Sequence, residues 1–186
     1  MKNLARMLAV FTVVFFLKAS AHAELFNVTN LNDAGPGSLR DAVLKAQKGD
    51  DISIIAKGTI VLKSTISIDK NISVEVPKSG DVIISGNGSI RPFTISADVT
   101  LFNLHIVNGK TELGGALSTS GKVILENCTL TMNNATEGGA LYITETGWVV
   151  LQNSAVVKNF ASVSGTSALK SLGTIEVGEG AQIENN

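Results

Sequence analysis

Downstream of residue 23, seven aspartates, two arginines, one histidine and one cysteine are the side chains whose chemistry must be weighed first. Two carboxylates facing one groove would hydrolyse a glycosidic bond. Carboxylates gathered round a Ca²⁺ beside an Arg or Lys base would eliminate across an acidic sugar. Asp33, Asp41, Asp50, Asp51, Asp69, Asp81 and Asp98 fit neither pattern, because they fall in turns or at a helix without a common column. Asp50-Asp51 is the one adjacent pair, and its position reads as a helix-to-strand turn. Arg40 sits in that helix, where an ion pair with an acid is expected, and Arg91 precedes Pro92 in a loop. His105 alternates with Leu104 and Ile106 and is expected to point outward, with no second ligand for a metal or triad. Cys128 lies in a strand phrase, Leu125-Glu-Asn-Cys-Thr-Leu130, and reads as a small buried hydrophobe without a basic neighbour to activate it. Ser85-Gly-Asn-Gly-Ser89 lacks the Gly-Lys-Ser/Thr and the following helix of a phosphate loop. Tyr142 and Trp148 are expected to pack beside the body of the fold, with a surface contact patch as the alternative. The expectation is therefore no catalytic residue, no metal and no cofactor.

The elements that position these residues are short. Leu25–Leu31 alternates as a strand, and 32–37 is a turn-rich loop. A helix follows, with Ser38 as N-cap, Asp41 at its third position and an apolar stripe of Leu39, Ala42, Val43 and Ala46. Gly49 is expected to end it, with Lys45 and Lys48 in the last turn. From Asp51 the period drops to two. Ile52–Ile54, Thr59–Leu62, Ile66–Ile68, Ile72–Val76, Val82–Ile84 and Phe93–Ile95 are short β runs broken by Lys-Gly, Lys-Ser and Asn-Gly turns.

The stretch from Val99 to Asn186 repeats itself. Val99-Thr-Leu-Phe-Asn103, Val123-Ile-Leu-Glu-Asn127 and Val149-Val-Leu-Gln-Asn153 are one phrase, spaced by 24 and then 26 residues. Gly114-Gly-Ala-Leu117, Gly138-Gly-Ala-Leu141 and a looser Gly165-Thr-Ser-Ala-Leu169 interleave with it, and Asn133, Asn159 and Asn186 close successive phrases. A period in the twenties marks a solenoid. Runs this short suit a coil with three faces, in which each turn lays one strand in each of three parallel sheets. Equivalent side chains then stack about 4.8 Å apart. Val99/Val123/Val149, Leu101/Leu125/Leu151 and Ile106/Leu130/Val156 become apolar columns. Asn103, Asn127 and Asn153 are expected to stack at an inward-facing corner, bonding one another and turn backbone. The paired glycines are assigned to a corner needing positive φ.

Met1–Ala23 stands apart. Lys2 and Arg6 precede the apolar run Met7–Leu17, and Ala21-His-Ala23 is a small-x-small cleavage signal. This reads as a Sec-type signal peptide, too short for a membrane span, with the mature chain beginning at Glu24. Its removal takes three positive charges and leaves 12 Lys+Arg against 16 Asp+Glu. A mildly acidic chain argues against a nucleic-acid partner. One cysteine excludes an intrachain disulfide. The organisation expected is 1–23 signal peptide, 24–50 leading strand and capping helix, and 51–186 parallel β-helix.

Two motifs resemble known families. Phe26-Asn-Val-Thr-Asn-Leu-Asn-Asp-Ala-Gly-Pro-Gly-Ser-Leu-Arg-Asp-Ala-Val43 resembles the leading segment of exported bacterial right-handed parallel β-helix proteins, where a G-x-G-S-L-R-x-A helix precedes the first turns. Gly114-Gly-Ala-Leu117 and Gly138-Gly-Ala-Leu-Tyr142 resemble the GGA[ILV] element of the polymorphic outer membrane proteins of chlamydia-like bacteria. Leu130-Thr-Met-Asn133 and Val156-Val-Lys-Asn159 match that family's F-x-x-N element in part, with an aliphatic residue in place of Phe. The resemblance implies an all-β, right-handed parallel β-helix, a three-faced solenoid with a short N-terminal capping helix. It further implies an exported surface module akin to an autotransporter passenger.

The expected function is a non-catalytic, exported cell-surface or outer-membrane-associated domain. It would hold loops such as 109–113, 135–137 and 160–164 in a line for an adhesion partner, either a host-cell or matrix protein or a glycan. The alternative is a polysaccharide-active, pectate-lyase-like enzyme or a carbohydrate-binding module of the same fold. At the C-terminal edge, either a downstream region follows or the last turn packs on a partner or another copy.

Overall fold

The computed structural model describes residues 23–162 and 168–185. The expected signal peptide therefore lies outside the described residues, apart from Ala23. The chain opens with β1 (Leu25–Val28) and α1 (Leu39–Lys45). Two three-strand turns follow: β2 (Asp51–Ile54), β3 (Gly58–Val61) and β4 (Ile66–Ile68), then β5 (Ile72–Glu75), β6 (Val82–Ser85) and β7 (Phe93–Ile95). Next come β8 (Val99–Phe102), β9 (His105–Val107), β10 (Lys110–Leu113) and β11 (Leu117–Thr119). The same order repeats in β12 (Lys122–Glu126), β13 (Thr129–Thr131), β14 (Asn134–Glu137) and β15 (Leu141–Ile143). The remaining strands are β16 (Trp148–Gln152), β17 (Ala155–Ala161), β18 (Leu169–Ser171), β19 (Thr174–Val177) and β20 (Gln182–Asn185).

Every pairing is parallel and joins one turn to the next, so the chain is a β-solenoid of about six turns. The first sheet runs β1-β2-β5-β8-β12-β16-β19, and the third runs β4-β7-β11-β15-β18. The second stacks β3, β6, β9, β13, β17 and β20. Its long strand β17 turns the corner and also pairs with β14, which pairs with β10. Segments expected to be loops are thus a short ladder of strands on that corner. The expected 160–164 segment reaches beyond the described residues at 163.

The apolar columns stand as expected. Val99, Val123 and Val149 are in register, as are Leu101, Leu125 and Leu151, and Ile106, Leu130 and Val156. Leu101, Leu125 and Leu151 are each 0 % exposed. The third sheet adds Ile66, Phe93, Leu117, Leu141 and Leu169. These columns form one core along the axis, and its burial is the main favourable term for folding.

α1 occupies the first turn, in the place that strands of the second and third sheets take in later turns. Its stripe of Leu39, Ala42, Val43 and Ala46 joins the core, and the Ser38 hydroxyl accepts from the Asp41 N–H at 3.2 Å. The helix stops at Lys45, short of Lys48. The Asp50 carboxylate takes the Gln47 N–H at 2.6 Å, and Ala46 is already extended with ψ 144°. Lys70, from the turn between β4 and β5, donates instead to the carbonyls of Val43, Leu44 and Ala46.

The asparagine corner bonds as expected, Asn153 Nδ2 to Asn127 Oδ1 and Asn103 Nδ2 to the Val76 carbonyl, but it differs in burial. Asn103, Asn127 and Asn153 stack, but only Asn103 is buried; Asn127 is half-buried and Asn153 exposed. All three have positive φ (61°, 53° and 46°), so their first role is to supply a left-handed backbone that β-branched residues resist. The buried ladder is Asn133 and Asn159, at 1 % and 2 % exposure. Asn133 accepts from the Gly109 N–H and donates to the carbonyls of Ile106 and Thr131 and to Asn159 Oδ1. The preceding corner position is Asn108, Met132 and Lys158, again at positive φ.

The glycine pairs divide their labour. Gly114 and Gly138 have positive φ, as expected. Gly115 and Gly139 do not, and are required by close approach: a Cβ on Gly115 would lie 2.3 Å from the Gly139 carbonyl oxygen.

Candidate functional site

Four of the seven aspartates are spent on structure. Asp33 accepts from Arg40 Nη2 at 2.8 Å and from the Lys63 N–H at 2.9 Å. Burial pushes its carboxyl up, but the Lys63 N–H and the Arg40 guanidinium outweigh this and hold it below the usual range. Asp41 is held low by Lys45, which bonds it at 2.7 Å. Asp50 accepts from the N–H groups of Glu24 and Gln47, and both hold its carboxyl low. Asp81 pairs with Lys57 at 3.0 Å. The Asp50-Asp51 pair is therefore split: Asp50 turns into the backbone, and Asp51 turns out to take the Ser73 hydroxyl.

His105 lies on the outer face of the second sheet, half-buried, with Nε2 shielded and without a hydrogen-bond partner. Burial lowers its pKa and favours the neutral ring. Burial pushes the Cys128 thiol up to about 12, which leaves no thiolate for nucleophilic work. Trp148 stands at the rim of the first sheet with Lys122 Nζ 4.5 Å from its ring, and Tyr142 is half-buried on the third sheet.

The two arginines do the same job at two places. Arg40 donates to the carbonyls of Ser64 and Thr65, at the corner that begins the third sheet. Arg91 donates through Nε to the Gly114 carbonyl at 3.0 Å and through Nη2 to the Leu113 carbonyl at 2.6 Å. That corner closes β10, the first strand of its ladder. The preceding turn has only the Gly86–Pro92 loop there, so each guanidinium supplies N–H groups that a preceding strand would have given.

Among the hollows lined by polar side chains, two bear on the alternatives above. The larger, about 670 Å³, lies between the Gly86–Pro92 loop and β10 and is lined by Thr65, Ser89, Ile90, Arg91, Lys110 and Glu112, among others. The smaller, about 330 Å³, is lined by Leu25, Asp51, Ser73 and Glu75 on the outer face of the first sheet. Neither constellation stands out from the residue-by-residue reading. Lys110 and Glu112 come together with Arg91 only because β10 begins a ladder. Glu75 meets Asp51 because register places Ser73 beside Asp51 and Glu75 beside Ser53. The signal that could have found the second hollow is the alternation Ser73, Glu75 on the outward side of an otherwise apolar run.

Among the described residues no group of His, Cys, Asp and Glu is arranged to hold a metal ion, and no helix is long and apolar enough to cross a membrane. No protein-family model matches the chain, and no curated protein matches it.

Proposed function

We propose that this chain is a non-catalytic, exported cell-surface or outer-membrane-associated β-helix domain that presents a ladder of side chains to a host-cell or matrix protein or glycan. The observation that carries this is the contrast between its inside and its outside. Inward columns repeat nearly the same residue from turn to turn. On the corner ladder, register aligns Lys110, Asn134 and Phe160, three different chemistries on one constant frame. A scaffold that keeps its interior fixed while its corner varies is suited to presentation. The Gly-Gly-Ala-Leu corners support a passenger of the polymorphic outer membrane protein type, and residues 1–23 support export.

The test is expression of the full chain in a Gram-negative host. The expected result is export, an N-terminus at Glu24, saturable binding to cells or matrix, and no breakdown of polysaccharide. Retention of an unprocessed chain in the cytoplasm, or release of sugar ends from a polyuronate, would overturn it. The second reading, a polysaccharide-active domain, draws on Asp51 and Glu75 sharing one hollow. Under that reading Glu75→Gln abolishes turnover and leaves the fold intact.

A further inference from the structure

We infer that the cleft between the Gly86–Pro92 loop and β10 binds an acidic sugar unit, a carboxylate- or sulfate-bearing residue within a polysaccharide. This deepens the presentation reading and rests on it for the biological setting, though not for the binding itself.

The molecule carries its own control. Arg40 and Arg91 both cap corner carbonyls, and that task needs N–H groups rather than net charge. Arg40 is neutralised by Asp33 at 2.8 Å. Among the described residues, Arg91 bonds only neutral acceptors: the Leu113 and Gly114 carbonyls and the hydroxyls of Thr94 and Thr111. Among the described residues no carboxylate lies within ion-pair distance of it. Later turns place Gly115 and Gly139 at the equivalent position, so the coil itself does not require a cation there. The result is a fixed, half-buried positive charge facing a cleft, where a charge acts more strongly than in open water.

Lys110 stands on the same cleft, exposed and also without an ion pair among the described residues. Glu112, two residues along β10, leaves the lining with one net positive charge. That balance favours a singly charged group over a phosphate cluster.

The loop excludes a phosphate cradle for a separate reason. The N–H groups across its turn, residues 87–90, are already committed: Asn87 to Ser85 Oγ, Gly88 to the Asn108 carbonyl, and Ser89 and Ile90 to the Gly86 carbonyl. Recognition must therefore come from side chains. Those available are the Lys110 ammonium, the Thr111 hydroxyl and the apolar flank of Ile90, the Ser89 hydroxyl being spent on the Gly86 carbonyl. An ammonium, a hydroxyl and one apolar face match a sugar ring that carries an acid. About 670 Å³ holds such a ring and falls in the range of small-molecule sites.

The experiment is titration of the purified chain with a galacturonate trisaccharide, a heparin-derived tetrasaccharide, neutral maltotetraose and inorganic sulfate. One or both acidic oligosaccharides should bind, more weakly as salt rises, and maltotetraose should not. Which of the two binds separates carboxylate from sulfate recognition. Lys110→Gln should weaken binding by about tenfold, the loss of one charge-assisted hydrogen bond. Lys48→Gln, which removes the same charge from a remote surface, should leave it unchanged. Lys110 is exposed, so its variant folds even where an Arg91 variant does not. Equal binding of maltotetraose, equal binding of sulfate alone, equal effects of the two lysine variants, or no binding of either acid would each overturn the inference. Loss of oligosaccharide binding with cell binding retained sinks this inference alone. Loss of cell binding with oligosaccharide binding retained sinks the adhesion reading instead.

Discussion

The Cys128 thiol is held between turns, with Sγ 3.2 Å from the Leu101 carbonyl and its own N–H bonded to Ser154 Oγ. Burial raises its pKa from 9.0 to about 12. The folded chain keeps this proton where the unfolded chain has lost it, so the thiol's contribution to stability is complete below pH 9.0 and falls away towards about 12. Native Cys128 should not react with a thiol reagent at about pH 8, and should react once urea unfolds the chain. Between about pH 8 and about pH 11 the wild type should lose more stability than Cys128→Ala, measured by urea unfolding. Asn133 makes the opposite point, since its polarity is fully used. Asn133→Ala leaves the Gly109 N–H and several carbonyls unpaired in the interior and should cost about 3 kcal/mol in urea unfolding. Asn153→Gly keeps the left-handed backbone of an exposed corner and should stay within about 0.5 kcal/mol. The sequence marks both as corner asparagines. Which one faces inward depends on whether the neighbouring strand bends around it, and that is a property of the coil.

At the scale of elements, α1 shows how a seven-residue helix persists where length alone would not hold it. Its apolar stripe was legible from spacing, and so was its Ser38 cap. Its early end was not, because the competing partners come from far along the chain: Asp50 takes the Gln47 N–H, and Lys70 takes the last carbonyls. Lys70→Met should therefore cost about 1–2 kcal/mol. Hydrogen exchange would report it as faster exchange of α1 amides, with β12 and β13 unchanged. The corner ladder of β10, β14 and β17 teaches the same lesson. Its segments are polar and short, and they read as loops in isolation. They become strands because the corner carries each one past its neighbour at pairing distance.

For the whole molecule, the close approach of successive turns sets the tolerance to change. Gly115 sits where one turn nearly touches the next, and a Cβ there would meet backbone of Gly139 and Asn134. Gly115→Val should cost about 3 kcal/mol or more, since the obstruction is backbone and cannot swing aside. Because each turn contacts only its neighbours, the damage should divide the urea transition into two phases, one for each side of the break. What the sequence by itself determined is the repeat, and with it the parallel stacking. Like residues at a constant period can bury their faces only by lying over one another. Composition likewise announced β chemistry, and spacing announced helix α1. Only the tertiary structure decided which polar residues meet. Arg91, Lys110 and Glu112 share a cleft because one turn is a strand shorter than the next. Asp51 and Glu75 share a hollow because parallel register brings residues of neighbouring turns side by side. Periodicity specifies what repeats, whereas a site here arises where the repeat is interrupted, and only the folded coil shows what lies across the gap.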